Sequence, residues 1–248
     1  MVYPGTETLQ ALKDINLTVK DGEFLCLIGP SGCGKSTMLE IAAGLLAQST
    51  GEILLDGKAQ NGASRDIGVV FQDSALFGWR NISKNVGFGL EIAGAKKPEI
   101  DESVKKYIDL VGLKGFENKY PHQLSGGMRQ RAGLARTLAN NPKVILMDEP
   151  FSAVDHLTRI TLQDEIIRIW EQEKKTIVFV THDVTEAVYL ATRIVLLTPR
   201  PGRIQKILDI PIIRPRNRND LYLLEIVEQI YQAINDASQT DKELEYYL

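Results

Sequence analysis

Apolar positions along this chain change period several times, and the changes divide it into elements. Ile15, Leu17 and Val19 alternate with polar residues, which predicts a strand, and Asp21-Gly22 offers a two-residue turn into the continuous apolar run Phe24 to Ile28. The period becomes helical at Met38, Leu39, Ile41, Ala42 and Leu45. Gly51 to Leu55 followed by Asp56-Gly57 predicts a short strand and turn, and Ile67 to Phe71 a buried strand ending at Gln72. From Asp73 to about Arg136 helices dominate, with Val104, Tyr107, Ile108 and Val111 on one face and Gly112 as the stop. Val144 to Met147 is a run of the kind found in parallel strands covered on both faces, and Thr176 to Val180 and Ile194 to Leu197 read as further strands. A turn at Pro199 to Gly202 leads into Ile204 to Ile210, and Leu223, Ile226, Val227, Ile230, Tyr231 and Ile234 mark an amphipathic helix. The polar and acidic residues from Ser238 onward are expected to be loosely held. The pattern predicts an α/β fold with a mixed sheet, an antiparallel β edge and an inserted α-helical subdomain.

Between the first apolar run and the first helix lies Gly29-Pro30-Ser31-Gly32-Cys33-Gly34-Lys35-Ser36-Thr37, which meets the phosphate-loop pattern G-x-x-x-x-G-K-S in its required strand-to-helix context. Glycines let the backbone curl so that its N–H groups converge on a triphosphate, and the helix that follows adds its positive end. Lys35 is expected to bridge the β- and γ-phosphates and Ser36 to offer its hydroxyl to Mg²⁺. The run Val144 to Met147 delivers two carboxylates at its end. Asp148 is placed to bind Mg²⁺, and Glu149 to polarise an attacking water. In Leu124-Ser125-Gly126-Gly127-Met128-Arg129-Gln130-Arg131, Ser125 is a good N-cap and the glycines bare the amides of a second anion-facing helix start.

Composition narrows the class. The chain of 248 residues is 44% hydrophobic, enough for a core in one large α/β domain. A net charge of −3 argues against a dedicated nucleic-acid binder. Only two cysteines occur, Cys26 and Cys33, and both read as packing or loop residues in a reducing compartment. No apolar run approaches the length of a membrane span, and the start shows no signal-peptide pattern, so a soluble chain that stays where it is made is expected.

The motifs together resemble the ATPase subunit of an ATP-binding cassette (ABC) transporter, over nearly the whole length. Gln72 matches the Q-loop, Leu124 to Arg131 the signature, Val144 to Pro150 the Walker B strand, Ser152-Ala153-Val154-Asp155 the D-loop, and His182 the switch histidine. The resemblance implies one P-loop NTPase domain over 1–248, with a nucleotide-binding core of 1–72 and 137–220, a helical signature subdomain of 73–136, and a C-terminal helix and tail of 221–248. It implies a head-to-tail homodimer in which ATP lies between one phosphate loop, residues 29–37, and Leu124, Ser125, Gly126, Gly127 and Gln130 of the other copy. Gln72 would couple Mg²⁺ to the helical subdomain, Glu149 would be the general base, His182 would contact the γ-phosphate, and Asp155 would serve the D-loop. Tyr3 is the upstream tyrosine suited to stack on adenine, with the strand that precedes it in the family either missing or different.

Ala75-Leu76-Phe77-Gly78-Trp79-Arg80 resembles the stretch that touches the membrane partner, although Gly78 stands where a proline is common, and Trp79 is expected to be half core and half docking surface. This stretch, the loop sequence and the tail Pro211-Ile212-Ile213-Arg214-Pro215-Arg216 are most similar to the nitrate, sulfonate, taurine and bicarbonate uptake group. The tail's arginines read as a solvated basic face. The implied protein is an importer motor at the cytoplasmic face of the membrane, driving a separate permease fed by an external solute-binding protein. The competing class is a soluble ABC ATPase acting on nucleic acid, ribosomes or cluster assembly.

Overall fold

The apolar runs become strands and the 3.6-residue patterns become helices in the computed structural model, which describes residues 2–3, 9–152 and 154–245, with side chains described over 9–152 and 154–236. In chain order the elements begin with β1 (Val2–Tyr3), β2 (Leu9–Gln10), β3 (Phe24–Ile28), α1 (Lys35–Ala42), β4 (Leu54–Leu55), β5 (Lys58–Ala59) and β6 (Ile67–Val70). Helices α2 (Ile82–Val86), α3 (Phe88–Ile92), α4 (Lys97–Leu110) and α5 (Gly126–Ala139) follow, then β7 (Val144–Asp148) and α6 (His156–Glu173). The chain continues through β8 (Thr176–Val180), α7 (Val184–Leu190), β9 (Arg193–Leu197), β10 (Ile204–Asp209) and α8 (Leu221–Glu245). It divides into two compact units, 1–63 with 178–248, and 64–177.

In the first unit, β3 is buried at every position and pairs in parallel with β9, Leu25 opposite Arg193 through Ile28 opposite Leu196. On the other side of β9, β10 runs antiparallel, so the sheet is mixed with an antiparallel edge. Just past β8, the Thr181 N–H donates to Leu27 O at 3.2 Å. Phe24, Leu27, Ile28, Phe179, Ile194 and Val195 are fully or almost fully buried, each contributing about 1.5–3 kcal/mol by leaving water. The β4–β5 hairpin turns on Asp56 and Gly57, whose φ angles of 52° and 73° give the left-handed pair that suits a two-residue turn.

The strand expected over Ile15, Leu17 and Val19 does not form. These side chains are half-buried and their neighbours exposed, as alternation requires, but the segment has no ladder partner among the described residues. Alternation chooses faces, whereas a strand needs a second backbone; here the Thr18 carbonyl accepts from the Arg193 guanidinium instead. The antiparallel pairing comes from β1 with β2, from β4 with β5 and from β9 with β10.

In the second unit, β6 and β7 run parallel, Ile67 opposite Val144 through Val70 opposite Met147. Helix α5 packs against β6, α2 and α4. Gly68 makes this approach possible, since a Cβ there would stand 2.4 Å from Thr137 Cγ2. Val104, Tyr107 and Ile108 bury the inner face of α4, and Gly112 at φ 66° follows its end.

Helix α8 continues through 238–245, since nothing in Ser238 to Glu245 breaks a helix. One further expectation gives way. The tail is not a solvated basic face: Arg216 is only 7% exposed, because its guanidinium satisfies backbone carbonyls. No helix among the described residues is long and apolar enough to cross a membrane.

Candidate active site

Strand β3 ends at Ile28 and hands the chain to the phosphate loop. Gly32 and Gly34 take φ angles of 77° and 104°, which a side chain would resist, and Gly34 becomes the N-cap of α1 without any side-chain hydrogen bond. Ser31, Gly32 and Ser36 are exposed, whereas Lys35 is buried against the loop, its Nζ donating to Gly29 O at 2.8 Å and Pro30 O at 3.0 Å. Cys33 lies inside the curl with no exposure; burial pushes its thiol up, against the opposing pull of Lys35. His182 leaves the end of β8 exposed to solvent. Thr181 Oγ1 accepts from the Asp183 N–H at 3.0 Å and Asp183 Oδ1 accepts from the Glu186 N–H at 3.1 Å, which fixes the backbone on the C-terminal side of the histidine. Tyr3 belongs to β1, but its side chain lies outside the described residues.

In the other unit, the parallel register of β6 and β7 sends Phe71-Gln72 and Asp148-Glu149 out of the same strand ends. Gln72 is exposed and both carboxylates are half-buried. Glu149 stands at φ 41°, and its carbonyl accepts from the Ser152 N–H at 3.2 Å and Oγ at 3.0 Å. Ser125 caps α5, Oγ accepting from the Met128 N–H at 3.3 Å, while Ser125 and Gly126 remain exposed. Leu124 and Gly127 are buried, and Gly127 allows α5 to approach Thr158. Asp155 caps α6, accepting from the Thr158 N–H at 3.0 Å and Oγ1 at 2.6 Å; these bonds hold its carboxyl below the usual range. Ala153 of the same loop lies outside the described residues.

In the first unit the curl, which tolerates no Cβ at Gly34, the buried lysine and the Ser36 hydroxyl fit a nucleoside triphosphate; in the other unit, by itself, Asp148 offers a carboxylate of the kind a hard cation takes. Residues 12–152 match the profile of the family described as ABC transporter. The chain belongs to the ABC transporter family. It is an ATPase of that family, with the P-loop NTPase fold. An ABC transporter ATP-binding protein of Methanocaldococcus jannaschii is 54% identical to this cassette, over 92% of this chain and 85% of that one. The aliphatic sulfonates import ATP-binding protein SsuB of Bacillus cereus is 43% identical over 92% and 89%, and the taurine import ATP-binding protein TauB of Roseobacter denitrificans 47% over 82% and 76%. A solved dimeric ATP-binding cassette in a post-hydrolysis state, bound to ADP and Pi, superposes with a TM-score of 0.75 at 34% identity, over 86% of this chain and 96% of that one.

Around the motifs of the cassette stand contacts that pattern reading passed over, one of them made by Gln130 of the signature. Gly202 exchanges backbone hydrogen bonds with Ala11 and Lys13, and a Cβ on it would stand 2.1 Å from Cys33 O, so this turn backs the phosphate loop. Beside it Arg200 Nε donates to Gly32 O at 3.0 Å. Only a turn was legible there, because the close approach is made to a loop far away in sequence. Gln130 is buried, and its amide donates to Phe71 O at 3.2 Å, one residue before Gln72. Arg136, also on α5, donates to Ala75 O at 2.7 Å and Ser74 O at 3.1 Å. Trp79 is 77% exposed rather than half core, its ring beside that of Phe77 with centroids 5.4 Å apart. Phe77 and Arg136 also line a cleft of about 390 Å³ with Phe88 and Asn140.

Proposed function

We propose that this ATPase is the motor subunit of an importer for small sulfonates, peripheral at the cytoplasmic face of the membrane. The observation that carries this reading is the 43–47% identity, over most of the chain, to ATP-binding proteins named for aliphatic sulfonate and taurine import. The exposed Trp79, with Phe77 beside it, supports docking of a membrane permease there, with a solute-binding protein supplying the cargo on the far side.

In this reading residues 29–37 hold the phosphates, Lys35 neutralises β- and γ-oxygens, and Tyr3 stacks on adenine. Ser36, Asp148 and Gln72 would hold a Mg²⁺, which supplies charge neutralisation at the phosphates when bound. Glu149 takes the proton of the attacking water, and His182 orients the γ-phosphate. Leu124, Ser125, Gly126 and Gly127 close on the ATP of a second copy, with Gln130 holding the helix that carries them and Asp155 at the shared interface. Residues 73–136 form the helical subdomain that passes closure to the permease.

The test is affinity purification of tagged Glu149→Gln from detergent-solubilised membranes of the native host, with ATP present. A stoichiometric multi-span permease is expected, and its companion binding protein should take up a sulfonate in a binding titration. Recovery from the soluble fraction with ribosomes, nucleic acid or assembly factors would overturn the importer reading and leave the ATPase.

A further inference from the structure

Helix α7, the element that follows His182, has only seven residues. Fewer than two turns cannot sustain themselves, because the hydrogen bonds formed barely offset the order imposed. Its N-terminus is capped by Asp183, next to the histidine. Its C-terminus is held from another part of the chain. Arg216 Nη1 donates to Val188 O at 3.0 Å, Tyr189 O at 2.9 Å and Ala191 O at 2.7 Å, and Arg214 donates to Tyr189 O and Leu190 O. The second amino group of Arg216 reaches back to Ile210 O at 3.2 Å and Ile212 O at 3.3 Å, so one guanidinium ties the helix end to the chain leaving β10. Arg218 lies over the Tyr189 ring, 3.5 Å from its centroid.

Cations at the C-terminal end of a helix complement its dipole and its unpaired carbonyls. Burial here draws the Arg216 guanidinium down to about 10, with Arg214 adding to the effect, so the charge is kept in an unfavourable place. A rigid fork of five N–H donors on three nitrogens can reach carbonyls of two segments at once, whereas lysine offers three donors on a single nitrogen. The helix rises about 10 Å from the Asp183 cap to the arginine clamp and acts as a short rigid rod, with His182 next to the capped end.

We propose that Arg216 is a positioning residue for His182: by pinning the C-terminus of α7 it fixes where the histidine meets the γ-phosphate. The proposal rests on the reading that His182 acts on that phosphate.

The test is a double-mutant cycle on the purified full chain, measuring phosphate release and, separately, nucleotide affinity with a fluorescent ATP analogue. His182→Ala should lower kcat by about a hundredfold or more. Arg216→Met should lower kcat about tenfold with affinity changed less than about twofold, Arg216→Lys should fall between Met and wild type, and neither should lower kcat further on the His182→Ala background. Equal losses on both backgrounds, or losses that follow affinity, would make Arg216 structural only and overturn the proposal, as would no loss at all. If Arg216→Met does not fold, Arg216→Lys carries the same comparison. Wild-type turnover by His182→Ala would instead remove the role of the histidine, an outcome visible without any Arg216 variant.

Discussion

Glu149 holds a left-handed backbone conformation at φ 41°, which costs a residue with a side chain about 1–3 kcal/mol, and Ser152 secures it through two hydrogen bonds to one carbonyl. Glu149→Gln keeps the shape and removes the base, so kcat should fall roughly 10²–10⁴-fold while ATP still binds; phosphate release measured beside equilibrium binding checks this, and near-normal turnover would remove Glu149 from the role. The thiols carry an opposite message. Cys33, though it lies in the phosphate loop, and Cys26 are both buried and burial raises both, so little thiolate exists to react. The native chain should resist thiol reagents equally with and without ATP and label at both positions when unfolded; rapid ATP-sensitive labelling of Cys33 would contradict the packing of the loop.

Elements show why some positions without any motif matter to the site. The turn at Gly202 touches the phosphate loop backbone to backbone, so Gly202→Ala must displace one or the other. It is expected to weaken ATP binding about tenfold with the far-ultraviolet dichroism unchanged, and wild-type affinity would show that the loop yields freely. On α6, burial raises the Glu165 carboxyl above its usual 4.5, outweighing the pull of Arg131 and Arg168. The folded state then holds this proton more tightly than the unfolded chain. Its stabilising contribution is complete below pH 4.5 and lost as pH rises through the raised value. Glu165→Gln should therefore flatten the decline of Tm above pH 4.5, and identical profiles would exclude the effect. The turn at Asp56-Gly57 and the N-cap Ser125 were legible because each is decided within four residues. The Ile15–Val19 segment and Arg216 were misread because a ladder partner, or a helix end needing donors, lies far along the chain.

For the whole molecule, the motifs made the chemistry legible and left its support hidden. Lys35, Ser36, Asp148 and Glu149 stand out as candidates from spacing alone because phosphate and cation chemistry admits few residue types. Gly202, Arg200 and Arg136 could not, since a glycine in a turn or an arginine on a helix has many uses and only tertiary packing chooses one. Trp79 extends the point to what lies outside the chain. The other tryptophan, Trp170, is partly sheltered on α6, whereas Trp79 stands largely in water. The molecule therefore carries its own optical probe: covering Trp79 with a permease should move its emission to the blue, and Trp79→Phe should abolish that shift. Engagement of the motor with its channel could then be followed in real time by light alone, with no label attached.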